Sequence, residues 1–254
     1  MKKILFPEAD NEYVKEAASE LKDIEAILEK QSLEDAFDKL ASGEVDGIVA
    51  GIDYPTRDVI LAGKDKLGLV KPEVKLFTSL FYAELPDGRK YIISDGATCK
   101  HPTLEQMCRI IELVHEAAAK LLDETPRLAM LSFSTFGSGG KDDTMSLMQE
   151  AIAKTHEAHP EIVIDGEMQL DAAINPRIGA KKAPNSEVAG RANVLIVPDI
   201  NAGNILYKSL EQFAGAKVAG PILLGFTKPV SDLSRGSTAE DVALTARCLA
   251  RLID

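Results

Sequence analysis

The sequence predicts an α/β fold: two α/β/α lobes with mainly parallel sheets, an interlobe cleft, and a C-terminal helix that returns to the first lobe. Three observations predict it. Short apolar runs, among them KILFP (3–7), VDGIVA (45–50), LAMLSFS (128–134) and ANVLIVP (192–198), alternate with stretches of helical period, the pattern of βαβ units and a parallel sheet. The alternation breaks at residues 123–126 and then restarts, which divides the chain into a first lobe of residues 1–125 plus 228–254 and a second of 126–227. With 254 residues, 45% hydrophobic and 27% charged, the chain can bury a core large enough for two such lobes.

In the first half, KILFP reads as a buried strand ended by proline. From Asp10, the residues Val14, Ala17, Ala18 and Leu21 fall at helical spacing, and Ile24–Leu28 is the next strand. Ser32 can cap a helix over 33–40, with Asp35 as its third helical residue. Residues 51–63 follow VDGIVA and open another helix. Strands over 74–83 and 90–94 flank Leu85-Pro86-Asp87-Gly88, whose proline and glycine suit a hairpin turn. Thr103-Leu104-Glu105-Gln106 matches a capping box before a helix to about Leu122.

In the second half, the strand 128–134 leads into a glycine-rich loop, 137–141, and a helix over 142–156. Strands follow at 161–165 and 192–198, with Asn204 as cap of the helix after the latter, and a last strand lies within 216–226. Ser237 and Glu240 match a capping box, so the final helix begins near Thr238 and sets Val242, Ala246, Leu249 and Ile253 on one apolar face.

Composition excludes several function classes. A formal charge of -11, no Trp and 5% aromatic residues leave neither the cations nor the stacking surfaces that nucleic acids need. Three cysteines without CxxC spacing suit reduced thiols in a cytoplasmic protein. No apolar run reaches membrane-span length, and the leading apolar run is too short for a signal peptide. His156 and His159 lack a third ligand nearby, so no metal site is expected. Neither a Walker motif nor GxGxxG is present.

The densest chemistry lies in GFTKPVSDLSRGSTAED (225–241). Ser234-Arg235-Gly236 precedes the first turn of a helix, where unpaired amides and the dipole favour an anion. Asp241 adds a carboxylate from that turn. Ser234 and Arg235 can equally be a polar pre-helix loop, with Asp241 complementing the dipole. The loop beginning at Gly137 is a second anion-binding candidate by the same logic, and a plain glycine turn explains it as well.

Taken together, LSFSTFGSGG (131–140), DGEMQLDAA (165–173), KKAPNSEVAGRANVLIVPDINAGNILYK (181–208) and GPILLGFTKPVSDLSRGSTAED (220–241) resemble the phosphate acetyltransferase and phosphate butyryltransferase family in its short form. FPEAD (6–10), VDGIVAG (45–51) and HPTLEQ (101–106) match more loosely. The resemblance implies the two-lobed fold with the active site in the cleft, a homodimer, and reversible acyl transfer between coenzyme A and phosphate. It implies no tightly bound cofactor; coenzyme A is a substrate, and phosphate or acyl phosphate the other. Ser234, Arg235 and Asp241 are then the catalytic set. Ser134, Thr135, Gly137, Ser138, Lys182, Lys208 and Arg57 bind substrate, with Lys182 on a coenzyme A phosphate.

The chain also departs from that pattern. Leu61 stands where the family usually has an arginine, with Arg57 one turn earlier on the same face as a substitute. Gln212 replaces a second arginine, the early βα units are short, and the usual leading helix is missing. These departures keep a catalytically silent acyl-CoA-binding module open as the alternative. A dehydrogenase of similar shape lacks a nucleotide fingerprint.

Overall fold

The computed structural model describes residues 1–253. The first segment runs β1 (Lys3–Phe6), α1 (Glu12–Glu20), β2 (Glu25–Leu28), α2 (Leu33–Ser42), β3 (Gly47–Ala50) and α3 (Thr56–Lys66). The hairpin β4 (Thr78–Glu84) and β5 (Lys90–Ser94) follows, then α4 (Leu104–Leu121). The later elements are β6 (Arg127–Leu131), α5 (Asp143–Ala158), β7 (Val163–Met168), α6 (Leu170–Ile174), α7 (Pro176–Lys182), β8 (Val194–Ile196) and α8 (Ile200–Ala214). Last come β9 (Lys217–Leu224), β10 (Val230–Asp232) and α9 (Ala239–Leu252).

All ten strands join one sheet in the order β2-β1-β3-β10-β9-β4-β5-β8-β6-β7. The flank β2-β1-β3-β10 is parallel, and so is the flank β5-β8-β6-β7. Between them three antiparallel pairings, β10–β9, β9–β4 and β4–β5, form the centre. The sheet is therefore mixed but mostly parallel, as the alternation of elements predicts. It also runs unbroken across the boundaries at 125/126 and 227/228, because β5 pairs with β8 and β9 with β10.

Helices cover both faces. α1, α4, α5 and α9 bury one face, with Val14, Ile110, Val114, Met148, Val242 and Leu249 in a common core. α2 and α3 cover the other face of the first flank, where Phe37 and Val59 meet Leu5 and Ile48. α6, α7 and α8 cover that face of the second flank, and Tyr207 of α8 stacks on Phe81 of β4. Each fully buried side chain of this size contributes roughly 1.5–3 kcal/mol. The last helix does return to the first segment: α9 packs against α1, α4, β3 and β9.

Most caps fall where the sequence predicts them. Ser32 accepts from Asp35 N–H, and Thr103 and Gln106 complete their capping box. Two do not. The box of α9 is Thr238 with Asp241, one residue later than the Ser237–Glu240 pair. Ser237 is buried with its N–H on the Ser234 carbonyl, and Glu240 pairs outward with Lys217. For α8 the cap is Asp199, whose Oδ1 accepts from Asn201 and Ala202; Asn204 lies inside the helix and reaches Gly96 O.

Gly51, directly after β3, has φ +103°, and a Cβ there would lie 2.2 Å from Asp232 Oδ1 and 2.8 Å from Leu233 N. Gly43, the α2 C-cap, also has positive φ (+81°) but open space around it. Gly43→Ala should cost about 1–2 kcal/mol from backbone strain alone. Gly51→Ala adds overpacking and should cost at least about 3 kcal/mol. Urea denaturation of both variants checks this; equal losses would contradict the close approach at Gly51.

Candidate active site

The sequence-predicted catalytic residues sit where β10 gives way to α9. Leu233 N–H bonds Ala50 O at 2.5 Å, so the chain leaves the sheet alongside the end of β3. A tight turn follows: Ser237 N–H reaches Ser234 O at 2.9 Å, and Gly236 N–H reaches Ser234 Oγ at 3.3 Å. Ser234 is half-buried and Arg235 exposed. Among the described residues no carboxylate pairs with Arg235, so its guanidinium remains available to an anion.

Asp241 is the third residue of α9 and half-buried. Its Oδ2 accepts from Thr238 N–H and Thr238 Oγ1–H, both at 2.8 Å. These bonds hold the carboxylate in place. Glu211, on the last turns of α8, has its carboxyl raised by burial first, with Asp241 adding to the shift and Lys208 opposing it. Glu211, Lys208 and Asp241 thus share one electrostatic neighbourhood. The Glu240–Lys217 ion pair joins the first turn of α9 to the start of β9, just beyond α8. Lys208 also lies over the Tyr207 ring, 5.0 Å from its centroid.

On the other side of Ser234, two buried acids organise the start of α3. Glu8, after β1, accepts from four successive amides. Its Oε2 takes Gly51 at 2.8 Å and Ile52 at 3.3 Å, and its Oε1 takes Asp53 and Tyr54, both at 2.7 Å. Asp232, the last residue of β10, is 1% exposed, and its Oδ1 has no hydrogen-bond partner. Burial pushes its carboxyl up to about 7; the Thr56 hydroxyl opposes this, and the Glu8 charge adds to it. Thr56 opens α3, and Arg57 and Leu61 are both exposed one turn apart, as their shared face predicts.

The second group lies after β6. Ser134 and Thr135 are buried, whereas Gly137 and Ser138 are exposed. The amides of this loop are already bonded. Thr135 N–H reaches Ser138 Oγ, Gly137 N–H reaches Glu167 Oε1 at 2.7 Å, and Gly139 N–H reaches Ser134 Oγ. Ser138 and Gly140 bond back within the loop. Of the two readings of this loop, anion-binding turn or plain glycine turn, these bonds fit the plain turn, folded around a buried acid. Burial alone would raise the Glu167 carboxyl, but the Gly137, Gln149 and Ser134 bonds outweigh it and hold it low.

Lys182, the last residue of α7, is no freely solvated lysine. Its Nζ bonds Gln169 Oε1 at 2.7 Å and Asp171 Oδ2 at 2.9 Å. It lines a cavity of about 330 Å³ with Phe136, Asp165 and Pro184–Ser186, beside the glycine-rich loop. The site residues thus fall into two sets. Ser234, Arg235, Asp241 and Lys208 gather at the α9 N-terminus with Arg57 on the neighbouring helix. Lys182 and residues 134–138 gather beyond β6. Among the described residues no hydrogen bond or ion pair joins the two sets. Glu8, Asp232, Glu167 and Glu211 were not foreseen; Glu8 and Glu167 bond groups remote in sequence, and Glu211 meets Asp241 only through folding.

Other candidates resolve as structural. His156 Nε2 bonds Ile164 O, and His159 faces Glu112 and Glu161. Among the described residues no three His, Cys, Asp or Glu side chains form a metal-holding group. The three cysteines are unpaired; burial pushes the Cys99 thiol up to about 11 and the Cys248 thiol up to about 12. No helix of the described residues is long and apolar enough to cross a membrane.

The fold is one shared with solved phosphotransacetylases. A phosphotransacetylase from Streptococcus pyogenes superposes with a TM-score of 0.84 at 31% identity, covering 98% of this chain and 93% of that one. Residues 20–250 match the family described as phosphate acetyl/butaryl transferase, and the chain belongs to that family. The phosphate acetyltransferase of Clostridium acetobutylicum is 42% identical over 210 residues, and that of Treponema pallidum 39% over 221. These alignments take in 80% and 84% of this chain but only 62% and 65% of the relatives' lengths.

Asp232 sets a pH dependence of stability. Its folded value of about 7 lies above the ordinary 3.8, so the folded state holds more protons between these values and stability falls as pH rises through that window. The full change corresponds to at most about 4 kcal/mol. Asp232→Asn should therefore gain stability relative to the parent as pH rises from about 4.5 to 8. Parallel urea titrations at the two pH values check this, and a pH-independent difference would contradict the assignment.

Proposed function

We propose that this chain transfers a short acyl group reversibly between coenzyme A and phosphate, with acetyl the favoured group. The observation that carries the proposal is the Ser234, Arg235 and Asp241 set, intact and gathered at a helix N-terminus in a member of this family. Arg235 holds the phosphate of the acyl phosphate. Asp241 takes the thiol proton as sulfur attacks the acyl carbon. Ser234 donates to the oxyanion of the tetrahedral intermediate. Collapse of that intermediate breaks the carbon–oxygen bond to phosphate and leaves the thioester.

Arg57 adds a second cation toward the acyl phosphate, Lys208 lies close to Asp241, and Lys182 receives a phosphate of coenzyme A. Ser134 and Thr135 would support the substrate surface from beneath, with Gly137 and Ser138 at it. We retain the division into residues 1–125 plus 228–254 and 126–227 as two lobes about the antiparallel centre. A sheet twist of roughly 20–25° per strand pair would swing the opposed carboxyl edges of the two flanks toward one cleft. The chain is read as a cytoplasmic homodimer; Ile205 and Phe213, 66% and 90% exposed on α8, are apolar surface a second copy would cover. A single-chain mass in light scattering would contradict the dimer.

A binding module without turnover is the second reading, favoured by Leu61, an exposed apolar side chain where the family pattern has arginine. The two separate in one experiment, thioester formation from acetyl phosphate and coenzyme A. The enzyme reading expects turnover that Asp241→Asn lowers by about 10²-fold or more, in line with loss of a general base, while coenzyme A binding by calorimetry survives. Ser234→Ala should lower the maximal rate more than it alters either apparent constant. Binding of coenzyme A without turnover in the parent would favour the module.

A further inference from the structure

The loop after β6 carries two exposed phenylalanines, Phe133 and Phe136. Phe136 has φ +48°, and only one other non-glycine residue among those described, Lys75, has positive φ. A bulky side chain in that region is strained, and such strain persists only where the surroundings over-determine it. Here they do. Every amide from 135 to 140 is bonded, that of Phe136 to Glu167 O at 2.9 Å. The ring is therefore held on a rigid turn while 47% exposed. Phe133 differs. It rests against Gly139, where a Cβ would lie 2.6 Å from its ring, and it does not line the neighbouring cavity.

Phe136 does line that cavity, the one of about 330 Å³ shared with Lys182, Asp165 and Asn185. Lys182 is pinned by Gln169 and Asp171, so its charge stands at a fixed place. Asn185 is exposed, and its side-chain amide has no partner among the described residues. Asp165 adds an acceptor. One flat apolar face beside a cation and unused polar groups suits a nucleotide, whose base stacks and whose phosphate meets the charge. We propose that Phe136 is a base-stacking residue: its ring takes the adenine of coenzyme A, next to the phosphate that Lys182 receives. The inference rests on the acyl-transfer reading of this protein. The split of the site residues into two sets supports it, since coenzyme A carries its thiol and its adenine at opposite ends. One base needs only one ring, so the low aromatic content that argues against nucleic acid leaves room for this contact. A position with no role beyond the turn would be better served by glycine, which adopts this φ without strain.

Calorimetry with coenzyme A and with its two halves, adenosine 3′,5′-bisphosphate and 4′-phosphopantetheine, tests the assignment. Phe136→Ala should weaken coenzyme A and the adenosine half by about five- to 150-fold, and the pantetheine half by less than about twofold. Phe136→Tyr keeps a ring and should stay within about threefold of the parent on all three. Phe136→Gly removes the ring and relieves the backbone, so its urea midpoint should hold or rise while the adenosine half binds as poorly as to Phe136→Ala. Phe133→Ala, in the same loop but outside the cavity, should bind all three as the parent does. In turnover, Phe136→Gly should raise the apparent constant for coenzyme A and leave the maximal rate within about twofold. Parental binding of the adenosine half by Phe136→Gly, equal weakening of both halves, or no binding of that half by the parent would overturn the proposal. A parent that binds it through Phe136 yet shows no turnover would count against the acyl-transfer reading alone and support the stack.

Discussion

Three antiparallel pairings, β10–β9, β9–β4 and β4–β5, hold this molecule in one sheet. Every other strand pairing described belongs to one of two parallel flanks, and neither flank could meet the other without that centre. The centre is covered on both faces: Leu80, Tyr82 and Ile222 belong to the core under the α1–α4–α5–α9 layer, and Phe81 and Ala83 to the core under α8. Because β9 reverses direction between the flanks, the exit of β10 descends beside α9, whose Thr245 hydroxyl accepts from Gly220 of β9. The position of the Ser234–Arg235 turn is thus a consequence of central sheet topology, not of its own loop sequence.

A second regularity governs the strand exits. The loops after β3, β5 and β6 are each folded around a buried carboxylate that accepts backbone amides. Glu8 does this for residues 51–54 after β3. Asp95 does it for Ala97, Thr98 and Cys99 after β5, while also taking hydroxyls of Thr78 and Ser79. Glu167 does it for Gly137 after β6. An acid bonded this way satisfies amides that would otherwise be orphaned, and it gains charge-assisted bonds in return. It also removes those amides from the list of groups that could receive a ligand. Asp232 stands apart, since no amide reaches its unpartnered oxygen.

Much of this was legible in the sequence because apolar periodicity and caps are local. The runs at 3–7, 45–50 and 192–198 became β1, β3 and β8, and Ser32 and Thr103 capped as their spacing requires. What escaped has physical causes. β10 is three residues, two of them polar and buried, so it carries no apolar signal. α6 and α7 are short and interrupted by Pro176 and Gly179. The α9 cap was ambiguous because Ser237-x-x-Glu240 and Thr238-x-x-Asp241 overlap in one string, and only burial of Ser237 decides between them. Ser234, Arg235 and Asp241 lie within the one stretch 225–241, so sequence alone can propose them as a set. Glu8, Glu167 and Glu211 act through partners brought close only by folding, and a lone glutamate in sequence reads as solvated surface.

The chemistry proposed for the site asks a carboxylate to accept a proton from a thiol, a mismatch of several pKa units for free side chains. Thr238 holds the Asp241 carboxylate in place by two hydrogen bonds, Arg235 has no carboxylate partner among the described residues, and both stand at the α9 N-terminus for the proposed acyl transfer. Phosphate-dependent release of free thiol from acetyl-, propanoyl- and butanoyl-coenzyme A tests it most directly. Release that saturates with phosphate and is fastest for the acetyl thioester is the predicted result; no phosphate-dependent release from any of the three would contradict it.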